Sequence, residues 1–444
     1  MNRDEGHRLW REFVNPEFIT LLETLDFGRC FTRASGTRLY DETGAEYLDC
    51  LAGFGVHNIG HNHPRVIGAL HQALKSQMPS MLNVDAPMAI GALAARLTRC
   101  THPSLCRTTF ANSGAEAVDV AIKAARAATG RRHIISCTGA YHGLSVGAMS
   151  LMDTDARQLY GCDADSTHVE FGDLTALDKV CAEKSPAAFI VEPIQAEGGI
   201  RVPDKNYLRN AECVCRTHGC LLIVDEIQTG FGRTGRLFAT PFSEVIPDIL
   251  VLGKGLSGGL VPVAATLMSA EIWSRGFGTA QRCRLNSSTF AGGHLAMVAG
   301  LETLDVIESE DLAARADQLG EYTLSRLREL AGRHLIIKSV RGRGLLIGVE
   351  FNAPSGLLMH AIPGWARAGL LAHVVAAKLL SENGILAEVC SLAHGVLRFE
   401  PPLIINTDDA QRFVSALDHV LERIPSHNAA VWQAFWHRLQ KGKR

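Results

Sequence analysis

Three apolar runs in this sequence each stop at residues that can do chemistry. "AAFIV" is followed by Glu192 and then "PIQAEGG". "LLIV" runs into Asp225 and Glu226, with Gln228 just beyond. "DILVLG" ends at Lys254, which stands between Gly253 and Gly255 in "VLGKGLSGG". An amine directly after a buried strand is poorly hydrated, so it holds a proton less tightly and becomes a usable nucleophile. The acids have several possible uses. The pair Asp225–Glu226 suits a metal at a nucleotide site, the cap of a turn, or one negative charge set under a bound cofactor.

Two glycine patterns test the nucleotide readings. "GKGLSG" at 253–258 and "GFGRTG" at 230–235 both fit G-x-G-x-x-G, and each follows a strand. A dinucleotide fingerprint also needs a crossover helix next. After Gly258 only a few residues, Pro262 among them, precede the strand "VAATLMS". After Gly235 the segment "RLFATPFSEVIPD" carries two prolines. Neither leaves room for the helix. "LLIVDE" resembles the acidic strand of a nucleotide hydrolase, but the required G-x-x-x-x-G-K-[ST] does not occur. A pyridoxal phosphate site accounts for more. It needs an amine for the aldehyde, an acid for the pyridine nitrogen, a phosphate cradle and an aromatic ring to stack on the cofactor. Lys254 and Asp225 supply the first two. In "NSGAEA" at 112–117, Ser113 and Gly114 precede a strong helix, whose free N–H groups and dipole face an anion. A plain Ser N-cap explains the same residues. "YHG" at 141–143 offers Tyr141 as the stacking ring, with a core or interface tyrosine as the plainer alternative.

These residues need a scaffold that delivers strand ends to one place. Open α/β sheets bind ligands at the carboxyl ends of their strands. "HIISC", "AAFIVE", "LLIVDE", "DILVLG" and "VAATLMS" read as strands, several of them near-continuous apolar runs of the kind found in parallel sheets covered on both faces. "VIGALHQAL", "IGALAARL" and "AEAVDVAIKAARAA" have helical spacing, and "RLYDETGAEYLDC" at 38–50 reads as a hairpin. From about residue 300 the chain turns helix-rich and then gives "LLIGVEF" and "GVLRFEPPL", a second and smaller α+β unit with which the hairpin can pack. Residues 353–379, apolar and broken by two prolines, read as a loop followed by a core helix, in preference to a substrate-facing flap.

The composition is that of an ordinary globular chain with ample core: 444 residues, 47% hydrophobic and 20% charged. A formal net charge of −2 gives no pull toward nucleic acid or an anionic membrane. "MNRDEGHRLW" lacks the apolar core of a signal peptide, and no apolar stretch is long enough to span a bilayer. The cysteines are scattered. Cys213, Cys215 and Cys220 do not fit a zinc spacing, and "AECVCRTHGC" reads as a helix running into a turn. Reduced thiols in a cytoplasmic protein, without a metal, are expected.

The motifs together resemble the class III pyridoxal-phosphate aminotransferases, the group acting on ornithine, 4-aminobutyrate and putrescine. The resemblance covers nearly the whole chain: "YLDCLAGFGVHNIGHNHP", "NSGAEAVDVAIKAAR", "YHGLSVGAMS", "VEPIQAEGG", "LLIVDEIQTGFGRTG", "PDILVLGKGLSGG", "SSTFAGG", "RGRGLLIGVEF" and "LRFEPPL". It implies the fold-type I architecture, with a large α/β domain of mostly parallel sheet over 55–315. The smaller domain would combine 1–54 with 316–444. It implies Lys254 as the lysine that binds pyridoxal 5′-phosphate and Asp225 as the partner of its pyridine nitrogen. Gln228 would face the 3-oxygen. Ser113, Gly114 and Ala115 would hold the phosphate, and Tyr141 would lie on the ring with His142 beside it. Glu192 and Ser288 join the cofactor set, and Thr289 resembles a phosphate ligand taken from the neighbouring subunit, which implies a homodimer. Arg398 resembles the arginine for the substrate carboxylate, and Glu197 the acid that pairs with it when no carboxylate is bound. Leu144 departs from the ornithine-type pattern, which often has arginine there. That argues against ornithine as a donor, while "FVNP", "LDCLAGFG" and "EPPL" resemble the putrescine-type branch most closely. The implied activity is amino transfer from a primary amine to a small keto acid. Aminomutase or decarboxylase chemistry on the same scaffold, and a non-catalytic binding relative, remain as alternatives.

Overall fold

The carboxyl ends of three neighbouring strands bring the predicted chemistry together. The computed structural model describes residues 2–81, 85–162, 165–353 and 364–424. Its strands are β1 (Phe31–Ser35), β2 (Arg38–Asp41), β3 (Glu46–Asp49), β4 (Arg107–Ala111), β5 (Ile134–Cys137), β6 (Ser166–Val169) and β7 (Ala188–Val191). They continue as β8 (Leu221–Asp225), β9 (Ile249–Leu252), β10 (Ala264–Met268), β11 (Ile337–Arg343), β12 (Leu346–Phe351), β13 (Ile385–Leu386) and β14 (Val396–Phe399). The largest sheet has the order β4-β10-β9-β8-β7-β5-β6. From β6 to β9 every pairing is parallel. Asp225, the last residue of β8, pairs with Val251 of β9, so Glu192, Asp225 and Lys254 emerge from adjacent strands.

Both faces of this sheet are covered, and the side chains alternate between two cores. Ala188 and Ile190 of β7, Ile223 of β8 and Ile249 and Val251 of β9 pack in the core that contains the helix Gly114–Thr129. Phe189 and Val191, Leu222 and Val224, and Leu250 and Leu252 face the other core. A period of two with apolar residues on both sides is why these strands read as unbroken runs. The helix Gly114–Thr129 buries Ala117, Ala121, Ala124 and Ala125 along with Val118, Val120 and Ile122, a small-residue face that lets it lie close to the sheet.

One strand departs from the parallel pattern. β10 runs antiparallel to both β9 and β4. The cause is the short link between Leu252 and Ala264, which holds a 3-10 turn over Lys254–Ser257 and no crossover helix. A parallel return needs a dozen or more residues, usually with a helix. The two edge strands carry little apolar signal: β4 reads "RTTFA" and β6 "STHV".

The hairpin at 38–50 forms as β2 and β3. β1 extends it on one side, and β3 pairs in parallel with the distant β13 on the other. A third sheet joins β11, β12 and β14, all antiparallel. The helix Gly364–Asn383 buries Leu371, Ala372, Val375, Ala376 and Leu379, so the second half of the apolar 353–379 segment is a core helix. Its first part, 354–363, lies outside the described residues. No helix among the described residues is long and apolar enough to cross a membrane.

Glu226, the second acid of the pair, anchors a loop. It is fully buried and accepts hydrogen bonds from Thr229 Oγ1 at 2.5 Å, Ala239 N at 3.2 Å, and Thr240 N and Oγ1 at 2.6 Å each. It fixes the glycine-rich turn 229–235 against residues 239–240. Glu226→Ala strands these donors in a buried place, at about 3 kcal/mol. For a chain of this length that lowers the melting temperature by about 3 °C. A thermal scan in which Glu226→Ala melts with the wild type would exclude this anchoring role.

Candidate active site

Asp225 is buried at the end of β8, with each carboxylate oxygen held separately. Oδ1 accepts from Ile227 N at 3.0 Å, and Oδ2 lies 2.8 Å from His142 Nδ1. A carboxylate only accepts, so the shared proton sits on Nδ1. Burial works against the charged imidazole. The hydrogen bond and charge of Asp225, with Glu192 behind them, outweigh it and hold His142 above its ordinary value. Glu192, just past β7, accepts from Tyr141 N at 3.0 Å and Ala196 N at 3.2 Å. Burial pushes its pKa up to about 7. Glu192 therefore fixes the backbone that presents Tyr141 and His142. The Tyr141 phenol is half-buried, and burial together with the Glu197 charge raises its pKa.

Lys254 follows β9 at φ +43, a left-handed conformation uncommon for a residue with a side chain. Its Nζ donates to Gln228 Oε1. Burial lowers its proton affinity, opposed first by the charge of Glu400 and then by that of Glu197. The Gln228 amide is clamped from behind, its Nε2 lying 3.0 Å from each oxygen of Glu400.

Arg398 of β14 is almost fully buried. Its Nη1 and Nη2 meet Glu197 Oε1 and Oε2 at 2.7 and 2.5 Å, a planar two-point contact. Ser391 adds its N–H at 2.9 Å and its hydroxyl at 2.6 Å to Glu197. Burial would raise the Glu197 pKa, but the Arg398 guanidinium brings it down to about 2. Phe54 lies over the guanidinium, 5.2 Å from ring centroid to Cζ. It belongs to a left-handed turn in which Ala52, Gly53, Phe54 and Gly55 all have positive φ.

The start of the helix Gly114–Thr129 completes the region. Ser113 caps it, accepting from Glu116 N at 3.2 Å, and its hydroxyl hydrogen remains able to donate. The first N–H groups, those of Gly114 and Ala115, have no acceptor inside the helix. A Cβ on Gly114 would come within 2.8 Å of Ile227 Cδ1, so the helix start is seated directly against the turn after Asp225. Ser288 Oγ accepts from Asn112 Nδ2 of the same chain at 3.1 Å. Thr289 lies on the surface of the chain, and Leu144 is 61% exposed.

Asp225, His142, Glu192, Tyr141, Lys254, Gln228, Glu197 and Arg398 thus form one connected set. Glu400 and Phe54 belong to it and were not singled out in the sequence. Glu400 follows an apolar strand and precedes proline, as Glu192 does, and that shared pattern was a usable signal. No group of three or more His, Cys, Asp or Glu side chains able to hold a metal ion occurs among the described residues.

Residues 23–421 match the family profile "Aminotransferase class-III". Aminotransferase PigE of Serratia sp. (strain ATCC 39006) is 35% identical over 95% of this chain, which spans only 54% of that longer protein. The putrescine aminotransferase of Pectobacterium atrosepticum is 36% identical, covering 94% of this chain and 88% of the relative. Among solved structures, the ornithine aminotransferase from Toxoplasma gondii ME49 superposes with a TM-score of 0.80 at 31% identity, over 95% of each chain. The architecture is that of the fold-type I enzymes, and the chain belongs to the class-III aminotransferases.

Proposed function

We propose that this enzyme moves an amino group from a primary amine on a largely aliphatic chain, a diamine or longer alkyl amine, to a small keto acid such as pyruvate or 2-oxoglutarate. The cofactor is pyridoxal 5′-phosphate. The observation that carries this reading is the pairing of a buried, already compensated arginine with a desolvated lysine amine in one polar network. The relative named for putrescine supports a donor of the putrescine type. The exposed Leu144 supplies no cation for a second substrate carboxylate.

The side chains suit the cofactor in kind. Lys254 offers an amine to its aldehyde and Asp225 a buried acceptor to its ring nitrogen. The Ser113–Ala115 helix start would offer N–H groups to its phosphate, and Gln228 would face its 3-oxygen. When bound, the cofactor supplies the electron sink and carries the amino group. His142 keeps the Asp225 carboxylate aimed by donating to Oδ2. Glu192 steadies Tyr141, whose ring would stack on the bound cofactor. Lys254 Nζ, kept poor in protons by burial, accepts the proton from the donor carbon and returns it. Arg398 receives the keto-acid carboxylate, and Glu197 neutralises the arginine while an uncharged amine substrate is bound, when an unpaired cation would be costly.

We further read the protein as a homodimer in which Ser288 and Thr289 reach the partner's phosphate. Supporting this, Leu285 and Phe290 are exposed apolar side chains in the segment, and the exposed Met81 lies against Gly293 beside it. The division into 55–315 and 1–54 with 316–444 is part of the same reading, supported by the β3–β13 pairing. The free cysteines fit a cytoplasmic location.

Borohydride reduction followed by peptide mass spectrometry should place the pyridoxyl group on Lys254, and its appearance on another lysine ends the mechanism. Arg398→Lys keeps the charge but loses the planar two-point contact. It should slow the keto-acid half-reaction about a hundredfold more than the amine half-reaction, each read by cofactor absorbance in single turnovers. Equal loss in both halves, or ornithine far outperforming simple amines, would show the pocket to be misassigned. Sedimentation should give twice the 48.0 kDa chain mass, and a fully active monomer would rule out shared sites.

A further inference from the structure

Arg398 has more negative charge around it than one guanidinium requires. Besides its two contacts with Glu197, its Nη1 lies 3.3 Å from Glu400 Oε2. The two acids differ in their surroundings. Glu197 is anchored on its far side by Ser391, whose N–H and hydroxyl both donate to Oε2. Glu400 is fully buried, held by Gln228 Nε2 at both oxygens, with Arg233 Nε 4.0 Å from Oε1. The left-handed turn at 52–55 closes the space behind it: a Cβ on Gly55 would lie 2.5 Å from Glu400 Oε1. Through Gln228 the same carboxylate is linked to Lys254 Nζ. An unbroken line of polar contacts therefore runs from Lys254 through Gln228 and Glu400 to Arg398 and Glu197.

We infer that Glu400 is a specificity-determining residue: a fixed counter-charge shared by Lys254 and Arg398 that limits how tightly Arg398 takes a substrate carboxylate. This rests on the reading that Arg398 receives the keto acid and that Lys254 carries the cofactor. When a keto acid displaces Glu197, Glu400 stays. The incoming carboxylate then meets a guanidinium that is already partly neutralised, so it binds weakly and its amino-acid product leaves readily. An amine donor without a carboxylate loses nothing by this, and the site favours it in relative terms. At the other end of the line, the Glu400 charge supports the protonated form of the Lys254 nitrogen against desolvation.

The test uses the holoenzyme and Glu400→Gln, with succinate as an unreactive dicarboxylate probe measured by calorimetry. The lysine nitrogen is followed by the pH dependence of cofactor absorbance. Glu400→Gln should bind succinate about tenfold more tightly, since one negative charge near the guanidinium is gone. The absorbance transition should move to lower pH, because the protonated nitrogen has lost a counter-charge. Succinate affinity that is unchanged or weakened, or a transition that does not move, overturns the inference. Wild-type and Arg398→Lys enzymes binding succinate equally would instead show that the probe does not reach Arg398, which overturns the arginine assignment and this inference with it. If Glu400→Gln does not fold, Glu400→Asp draws the charge back by about one bond length and should give both shifts with the same signs at smaller size.

Discussion

Two guanidinium groups and two carboxylates are buried together here, and much of the tertiary arrangement follows from the need to keep them balanced. Removing one partner from such a set leaves an uncompensated charge in a dry place, at several kcal/mol. Arg233 shows how the need is met. Its Nη1 donates to the carbonyls of Leu345 at 3.0 Å and Pro401 at 2.6 Å, and its Nη2 to Asn58 Oδ1 at 2.6 Å. Burial pushes it down to about 10, opposed by Glu400, so it remains a cation at neutral pH. One side chain from the turn after β8 thus ties the large sheet to the start of β12, to the residues after β14 and to the segment that leads out of the hairpin. The same contacts that make the charge tolerable hold Glu400 and Arg398 opposite Lys254.

The strand-end residues were legible because their physical signal is local. An apolar run that stops at an acid or a lysine announces a buried strand with a polar group at its mouth, and Asp225, Glu192 and Lys254 lie where that logic puts them. The anchoring role of Glu226 inside "DE" was not legible. Asp225 turns toward His142 and Glu226 toward Thr240, and only the fold of 229–240 decides which acid faces which way. Glu400 carries the same local signal as Glu192, yet its importance comes from Gln228, Arg398 and Arg233, which converge on it from elsewhere in the chain. The edge strands β4 and β6 escaped notice because an edge is half-exposed and "RTTFA" and "STHV" lack an apolar run. The direction of β10 was implied by the short link after Gly258, the same link that excluded a dinucleotide site.

Strain and rigidity are distributed unevenly around the site. Lys254 sits at φ +43 and the 52–55 turn includes Ala52 and Phe54 in left-handed geometry. Such conformations cost roughly 1–3 kcal/mol each and persist only where the surroundings dictate them. Here the surroundings are the fully buried strands β7, β8 and β9 on one side and the buried ion cluster on the other. The left-handed backbone sets the direction in which the Lys254 side chain leaves the main chain, and the contact of its Nζ with Gln228 holds the far end.

The pairing of β3 with β13 also bears on how the protein is made. Arg38 of β2 bonds Asp409, 371 residues further along the chain, and β3 gains its outer neighbour only when residues 385–386 exist. On a ribosome β1 to β3 emerge well before β13 and must wait for it before their sheet can close. The seven-stranded sheet is complete once Met268 has emerged, so it can assemble first and serve as a template. Until β13 arrives, β3 presents an open edge, a site for pairing with other nascent chains. The charged Arg38, Glu42 and Glu46 side chains on this hairpin are of the kind that discourage such pairing.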